Sequence, residues 1–217
     1  MPRPRKILCV GLNYVEHAAE SPYKDPPKYP VFFARFSTGL IADGDPMIRP
    51  QLSADLDYEC ELVAVIGKTA RKVSVEQALD HVVGYSIFND GSLRDYQFII
   101  PQWTIGKNFD GTGAFGPELV TSDELPAGCS GLKIQTILNG AVVQSANTSD
   151  MIFPVAQLVS VASQTMTLEP GDIIVTGTPA GVGLGKKPPL YMKNGDVCEI
   201  VIEKIGRLVN RIEDEAA

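Results

Sequence analysis

Histidine, tryptophan and long hydrophobic runs are scarce in this chain of 217 residues. It contains 2 histidines and 1 tryptophan, and no stretch approaches the ~18 consecutive apolar residues that a membrane-spanning helix needs. Basic residues cluster only at positions 3–6, and the net charge is −7. Because phosphate contacts need a cationic face, we expect neither a nucleic-acid partner nor a membrane partner.

Cysteine is also sparse, and its spacing excludes common metal and redox motifs. Cys9, Cys60, Cys129 and Cys198 are too far apart for any CxxC pair. We interpret them as small buried side chains in a reducing compartment. The first residues turn polar before a signal-peptide core forms. These observations predict a cytoplasmic protein.

The composition is that of a globular protein, with 44% hydrophobic and 21% charged residues, and the length fits one domain. The 20 glycines and 16 prolines divide the apolar residues into short runs, which predicts an α+β, mainly β fold. Strands are predicted at residues 6–10, 31–35, 60–67, 82–88, 132–138, 172–176, 197–205 and 208–212, and helices at residues 14–20, 75–81 and 155–161. Asn139-Gly140 predicts a type I′ hairpin turn, because both residues tolerate positive φ.

Two glutamates lie two positions apart at the start of an apolar strand. Glu59 and Glu61 therefore project from the same face of that strand. Asp90 follows the next apolar run, and carboxylates at the mouths of two strands form a suitable oxygen site for Mg²⁺, Mn²⁺ or Ca²⁺. The alternative is a solvated face of an edge strand. Arg94 and Gln97 follow Asp90 at helical spacing, so in a short helix they share a side with it.

One of the two histidines lies close to a glutamate. His17 and Glu20 are i and i+3 on a short predicted helix, so their side chains can meet. A carboxylate that orients an imidazole is the arrangement of a general base. The alternative is an exposed ion pair that contributes under ~1 kcal/mol. Residues 21–30 are rich in proline, and we expect an exposed connection or a mobile flap there.

Two further segments have a composition suited to anion binding. Lys107 lies among apolar and glycine residues near the tryptophan, which indicates a fixed position facing an anion, with a surface charge as the alternative. Residues 176–183 are rich in glycine, so their backbone amides can approach a ligand carboxylate, unless they form only a structural turn. They contain neither GK[ST] nor GxGxxG, which supports neither nucleotide-binding class.

Several longer motifs occur together in one order along the chain. They are GLNYVEHAAE, DYECELVAVIG, GYSIFNDGSLRDYQ, QWTIGKNFDGTGAFGP, LNGAVVQSANTSDMIF and EPGDIIVTGTPAGVG. With these motifs the chain resembles the fumarylacetoacetate hydrolase superfamily, in particular its short members that consist of the catalytic domain alone. The resemblance implies a mixed β-roll with few helices over residues 1–217, a lid segment at about residues 13–30, and a homodimer.

The resemblance also implies roles for individual residues. The implied metal ligands are Glu59, Glu61 and Asp90, the implied catalytic residues are His17, Glu20 and Lys107, and the implied substrate-binding residues are Arg94, Gln97 and Thr178. This chain has Arg35-Phe36 where many relatives have Lys-Pro. The planar guanidinium of Arg35 could hold a substrate carboxylate by two parallel bonds.

A metal-dependent enzyme that acts on a small 2-oxo acid is the function implied by the resemblance. We expect the metal to polarise the substrate, His17 to deprotonate water and Lys107 to stabilise the oxyanion. The expected reaction cleaves a 2,4-dioxo acid of the acylpyruvate or fumarylpyruvate type to pyruvate and a carboxylic acid. The alternatives are decarboxylation or isomerisation of oxaloacetate or of hydroxymuconate-type diacids from aromatic catabolism. A hypothesis of another class is a non-catalytic metal-binding scaffold with the same fold.

Overall fold

Two β-sheets form most of the structure. The computed structural model describes residues 4–20 and 26–216. The strands are β1 (Ile7–Gly11), β2 (Val31–Arg35), β3 (Leu40–Ile41), β4 (Met47–Arg49), β5 (Leu56–Asp57), β6 (Cys60–Ile66), β7 (Val82–Asp90), β8 (Ser92–Leu93), β9 (Gly113–Thr121), β10 (Lys133–Leu138), β11 (Ala141–Asn147), β12 (Ile173–Val175), β13 (Val197–Ile202) and β14 (Gly206–Asp214). The helices are α1 (Val15–Glu20), α2 (Arg94–Gln97), α3 (Thr104–Lys107) and α4 (Val155–Thr165). Short 3₁₀ helices span Ser37–Gly39, Ala78–His81, Ser122–Glu124, Ala127–Cys129, Thr148–Asp150 and Gly183–Gly185.

The larger sheet has seven strands and the smaller has five. Their strand orders are β2-β1-β12-β6-β7-β9-β3 and β11-β10-β13-β14-β4, and β5 pairs with β8 separately. Most neighbours are antiparallel, but β1 with β12, β3 with β9 and β4 with β14 are parallel. This architecture confirms the predicted α+β, mainly β fold with mixed sheets and few helices. No helix within residues 4–20 and 26–216 is long and apolar enough to cross a membrane.

The central strands β6 and β7 carry the acidic residues of interest. All seven residues of β6 are buried, as is typical of a strand covered on both faces. Leu62 belongs to the larger hydrophobic core, whereas Val63 and Val65 belong to a smaller cluster on the opposite face. Because side chains alternate along a strand, Glu61 shares its face with Val63. The strand therefore places a carboxylate at the end of an apolar face.

The predicted strands are all present, with shifts of a few residues at their ends. Asn139 and Gly140 connect β10 to β11 with φ values of 51° and 81°, which confirms the type I′ turn. The sequence pattern does not indicate β9, because Gly113, Gly116 and Pro117 interrupt it. The strand tolerates proline because its register with β7 shifts at that point, so the missing amide falls at an irregularity in the ladder.

The helices depart further from the prediction. α1 is present, and α4 begins at Val155 as predicted but continues to Thr165. The predicted helix at residues 75–81 is wrong: residues 75–77 form a turn, and a 3₁₀ helix spans Ala78–His81. The amides of Gln77, Ala78 and Asp80 donate to carbonyls three residues earlier in the chain, which is the 3₁₀ pattern and not the α-helical one. Of the expected flap, residues 21–25 lie outside the described residues, and residues 26–30 form neither helix nor strand.

Replacing Leu62 by Ala should lower the free energy of unfolding by about 2–5 kcal/mol, because this fully buried side chain would leave a cavity. Leu52, with an exposed fraction of 71%, is the matched control. Its replacement by Ala should change the free energy of unfolding by under about 0.5 kcal/mol. Urea unfolding followed by circular dichroism measures both values, and equal losses would contradict the central position of β6.

Candidate active site

The three acidic residues expected to bind a metal converge where β6 begins and β7 ends. Glu59 precedes β6, Glu61 lies within it, and Asp90 is the last residue of β7. The amide of Asp90 donates to the carbonyl of Glu59 at 3.0 Å, which holds the two strand ends side by side. One carboxylate oxygen from each residue lies within 4.8 Å of the others. All three residues are buried, which excludes the alternative of a solvated edge strand.

Cationic side chains compensate two of these carboxylates. Lys107 Nζ donates to Glu59 at 2.6 Å and to Asp90 at 2.7 Å. Arg94 Nη1 pairs with the second oxygen of Glu59 at 2.7 Å, and Arg35 Nη1 donates to the second oxygen of Asp90. Each of these two carboxylates is therefore held between two cations.

Glu61 is compensated differently. It accepts a hydrogen bond from the amide of Gly177, and within the described chain it forms no ion pair. Burial raises the pKa of Glu61 well above its usual value, and the negative charges of Asp90 and Glu59 raise it further. Burial also opposes ionisation of Glu59, but its cationic neighbours, chiefly Lys107, lower the pKa of Glu59 to about 2. The cluster therefore lacks positive charge at Glu61.

The carboxylate oxygens of this cluster fit a divalent cation. Carboxylate oxygens are the ligands that Mg²⁺, Mn²⁺ and Ca²⁺ prefer in proteins. Each oxygen has two lone pairs, so the hydrogen bonds from Lys107 and the arginines leave acceptor capacity for a metal. An ion held by Glu59, Glu61 and Asp90 would supply the positive charge that Glu61 lacks.

The His17–Glu20 pair lies on α1. His17 Nδ1 is 3.9 Å from Glu20 Oε2, within ion-pair range but longer than a hydrogen bond. The side chains of His17 and Glu20 are 12% and 29% exposed, so the pair lies partly in solvent, with the histidine on the more buried side. The amide of Gly181 donates to both oxygens of Glu20, at 3.1 and 2.9 Å. Burial opposes ionisation of Glu20, but its contacts with His17 and Gly181 prevail and hold its pKa below the ordinary value.

A cavity joins this pair to the carboxylates. The structure brings eight of the predicted site residues to the cavity: His17, Glu20, Glu59, Glu61, Arg94, Gln97, Lys107 and Thr178. Asp90 is fully buried and is not among the lining residues. The sequence analysis does not identify the apolar wall, which consists of Val10, Leu12, Phe33, Phe98, Trp103, Val182 and Leu184. The position of Trp103 near Lys107 and that of Val182 within the glycine-rich residues 176–183 are the signals that could have indicated two of these residues.

Arg94 has a donor left for a ligand. Its Nε donates to Asp57 at 2.7 Å, and its Nη1 donates to Gln97 at 2.8 Å in addition to its contact with Glu59. Its Nη2 is buried and has no hydrogen-bond partner among the described residues. Arg94 and Gln97 lie on α2 as the spacing predicts, but Asp90 belongs to β7 and not to that helix.

Arg35 does not line the cavity. Its side chain is completely buried, and besides its contact with Asp90 it donates to the carbonyl of Gly91 at 3.2 Å and to the hydroxyl of Thr112 at 2.8 Å. The expectation that Arg35 holds a substrate carboxylate therefore does not fit this geometry. Its guanidinium compensates a buried carboxylate of the chain itself.

The glycine-rich loop that follows β12 also serves the chain's own carboxylates. The amides of Gly177, Gly181 and Gly183 donate to Glu61, Glu20 and Asp57 respectively. Thr178 lines the cavity, and its hydroxyl oxygen accepts from Gln144 at 2.9 Å. We expected these glycine amides to contact a ligand carboxylate. Instead, they donate to carboxylates of the protein and orient those side chains.

The sequence that forms this site also matches a known family. The family model described as "Fumarylacetoacetate (FAA) hydrolase C-terminal" covers residues 6–213. The chain belongs to the fumarylacetoacetate hydrolase family.

Relatives within this family carry out different reactions. The chain is 41% identical over 211 residues to the mitochondrial oxaloacetate tautomerase Fahd2a of Rattus norvegicus, covering 97% of this chain and 67% of that protein. It is similar in structure to 2-hydroxyhepta-2,4-diene-1,7-dioate isomerase from Mycobacterium marinum, with a TM-score of 0.86, 38% identity, and coverage of 99% and 77%. It is also similar to fumarylpyruvate hydrolase from Pseudomonas aeruginosa in complex with Mn²⁺ and pyruvate, with a TM-score of 0.88, 32% identity, and coverage of 98% and 91%.

Mg²⁺ or Mn²⁺ should raise the unfolding temperature, since a ligand at 100 times its Kd stabilises the folded state by about 2.7 kcal/mol. Glu61→Gln should remove most of this rise. Without metal, the same variant should be at least as stable as the original protein, because it removes a buried carboxyl whose ionisation Glu59 and Asp90 oppose and keeps an oxygen for the amide of Gly177. Differential scanning fluorimetry with EDTA and then with metal measures both effects. Exposed Glu118→Gln is the control, and an undiminished metal response in Glu61→Gln would rule out this site.

Proposed function

We propose that this chain is a metal-dependent enzyme that enolises a 2-oxo acid, and that its reaction is the keto–enol tautomerisation of oxaloacetate. The observation that carries the proposal is that one cavity is lined by Glu59 and Glu61, by Arg94, whose Nη2 has no partner among the described residues, and by the His17–Glu20 pair. Enolisation needs an electrophilic centre, a carboxylate-binding cation and a base. The 41% identity to an oxaloacetate tautomerase supports the choice of oxaloacetate.

The charged residues divide into groups that hold a metal and groups that hold the substrate. A divalent ion held by Glu59, Glu61 and Asp90 would supply Lewis-acid polarisation of the 2-oxo group. Arg94 binds a substrate carboxylate through Nη2, and its other contacts already fix the guanidinium, so little rotamer freedom is lost on binding. Lys107 uses two donors on carboxylates and keeps one N–H for negative charge that develops on the substrate.

His17 is the residue that moves the proton. Tautomerisation removes a proton from C3 of the 2-oxo acid and places one on the C2 oxygen, so no atom is gained or lost. His17 takes the C3 proton, and its imidazolium then returns a proton to the oxygen. The carboxylate of Glu20, held by the amide of Gly181, stabilises the imidazolium between these steps. The apolar wall of the cavity limits the access of bulk water to the enolate.

Hydrolysis of a 2,4-dioxo acid is the second candidate, and the apolar wall is the observation that favours it. Phe33, Phe98 and Trp103 offer surface for a hydrocarbon acyl group, which oxaloacetate does not have. In this reaction His17 takes a proton from water, and the oxygen of that water attacks the C4 carbonyl carbon. The C3–C4 bond then breaks, and the pyruvate enolate gains a proton at C3. The similarity to fumarylpyruvate hydrolase supports this candidate.

A panel of three substrates separates the reactions. With Mg²⁺ or Mn²⁺, the protein should speed the loss of enol-oxaloacetate absorbance by about 10²-fold or more over buffer with metal, and EDTA should abolish the effect. Pyruvate release from acetylpyruvate at a higher kcat/KM would assign hydrolysis instead. Preferential conversion of a hydroxymuconate-type diacid would assign isomerisation. Inactivity on all three in the presence of metal would contradict the proposal and favour a scaffold.

His17→Ala should lower kcat by about 10²–10⁴-fold, the usual contribution of a general base. Its metal-dependent rise in unfolding temperature should remain, because His17 is not a metal ligand in this arrangement. His81→Ala is the matched control, since the second histidine of the chain contacts the carbonyl of Lys68 outside this cavity. Steady-state kinetics of both variants measure kcat. An unchanged kcat in His17→Ala would remove the His17–Glu20 pair from the mechanism.

A further inference from the structure

Asp57 is a buried carboxylate to which the proposed reaction assigns no role. Its Oδ1 accepts from the amides of Tyr58 at 2.9 Å and Gly183 at 2.7 Å. Its Oδ2 accepts from Arg94 Nε at 2.7 Å and from the amide of Leu184 at 3.0 Å. These four contacts use the full acceptor capacity of a carboxylate. One side chain therefore joins the substrate-binding guanidinium to the glycine-rich loop.

The loop segment at residues 181–184 is held from two sides. Val182 and Leu184 line the cavity. The carbonyl of Gly181 accepts from the hydroxyl of Tyr58 at 3.2 Å, and its amide donates to Glu20 on α1. The segment therefore connects residues 57–58, which precede β6, to the helix that carries His17.

Glycine is required where the segment approaches Asp57. A Cβ at Gly183 would lie 2.0 Å from the carbonyl oxygen of Leu190 and 2.6 Å from Asp57 Oδ1. Gly181 has a φ of 100°, and a Cβ there would lie 2.5 Å from the carbonyl oxygen of Val143. Only glycine lets both amides reach their carboxylates in this conformation.

We propose that Asp57 is a positioning residue that couples Arg94 to the 181–184 segment, so that a carboxylate bound at Arg94 also strengthens the contact of this segment with Glu20. The inference rests on the proposed function in that Arg94 is taken to bind the carboxylate of a 2-oxo acid. Without the charge of Asp57 the guanidinium keeps only its Nη1 contacts with Glu59 and Gln97, and the loop amides of Gly183 and Leu184 are held less strongly. Because coupling between two sites is reciprocal, the loop and the ligand each stabilise the bound position of the other.

The test compares Asp57→Asn, Arg94→Lys and the double variant by calorimetric binding of oxalate and pyruvate in the presence of Mg²⁺. Asp57→Asn should weaken oxalate binding by about 10–100-fold, the worth of a lost hydrogen bond to a charged group. If Asp57 acts through Arg94, the double variant should bind no more than about threefold more weakly than Arg94→Lys alone. Additive effects would contradict the coupling and leave Asp57 with a structural role.

Asp172→Asn is the matched control. Asp172 is also a buried aspartate that accepts from backbone amides and pairs with a cation, Lys6, but it lies before β12, at the opposite end of that strand from Gly177. Its oxalate affinity should stay within about twofold of the original protein, because distant sites do not share interaction energy. A similar loss in both aspartate variants would indicate general destabilisation and overturn the proposal.

Amide hydrogen exchange in the unaltered protein tests the coupling even if Asp57→Asn does not fold. Oxalate should slow exchange at the amides of Gly181, Gly183 and Leu184, and unchanged exchange at saturating oxalate would overturn the proposal. Oxalate binding without turnover of any 2-oxo acid would contradict the proposed reaction alone. Turnover with additive binding effects would contradict the coupling alone, and failure to bind oxalate or pyruvate would contradict both.

Discussion

The burial of like-charged carboxylates at the centre of a β-sheet is the constraint on which the rest of this structure depends. Antiparallel pairing of β6 with β7 brings Glu59 beside Asp90. Because side chains alternate between the two faces of β6, Glu61 joins the same cluster of carboxylates. Such a cluster is unfavourable unless positive charge enters it. Arg35 at the end of β2, Arg94 at the start of α2 and Lys107 at the end of α3 supply that charge. The short helices between β8 and β9 thus bring two of the compensating cations to the cluster.

Neighbouring cations compensate the three carboxylates unequally, and this inequality makes the cluster suitable for chemistry. Two carboxylates lie between pairs of cations, whereas Glu61 has only a backbone amide as its described donor. A divalent cation can compensate Glu61, because it brings positive charge without requiring a further side chain. Arg94 Nη2 likewise is buried and has no hydrogen-bond partner within the described part of the chain. The proposed function assigns the metal to Glu61 and its neighbours and the substrate carboxylate to Arg94.

The relatives of this chain include an oxaloacetate tautomerase, a 2-hydroxyhepta-2,4-diene-1,7-dioate isomerase and a fumarylpyruvate hydrolase. An enol or enolate of a 2-oxo acid is common to the tautomerisation and the hydrolysis proposed above, and in either reaction the carboxylate cluster and Arg94 would act on it. The two proposed reactions differ in the group beyond C3 and in whether water takes part, so under the proposal the apolar wall and access to His17 would separate them. Phe33, Phe98 and Trp103 come from three different segments of the chain, so this wall is formed by the packing of those segments.

The sequence by itself determined the features that depend on near neighbours. Period-two alternation placed Glu59 and Glu61 on one face, Asn139-Gly140 specified its turn, and the spacing of Arg94 and Gln97 specified their contact. Only the tertiary structure decided which charges meet, because Lys107 is 48 residues from Glu59, Arg35 is 55 residues from Asp90, and Gly183 is 126 residues from Asp57. Whether a guanidinium points toward a ligand or toward a buried carboxylate depends on strand order and sheet twist. Such contacts leave no periodic signal in the chain, since their free energy comes from burial and charge and not from spacing.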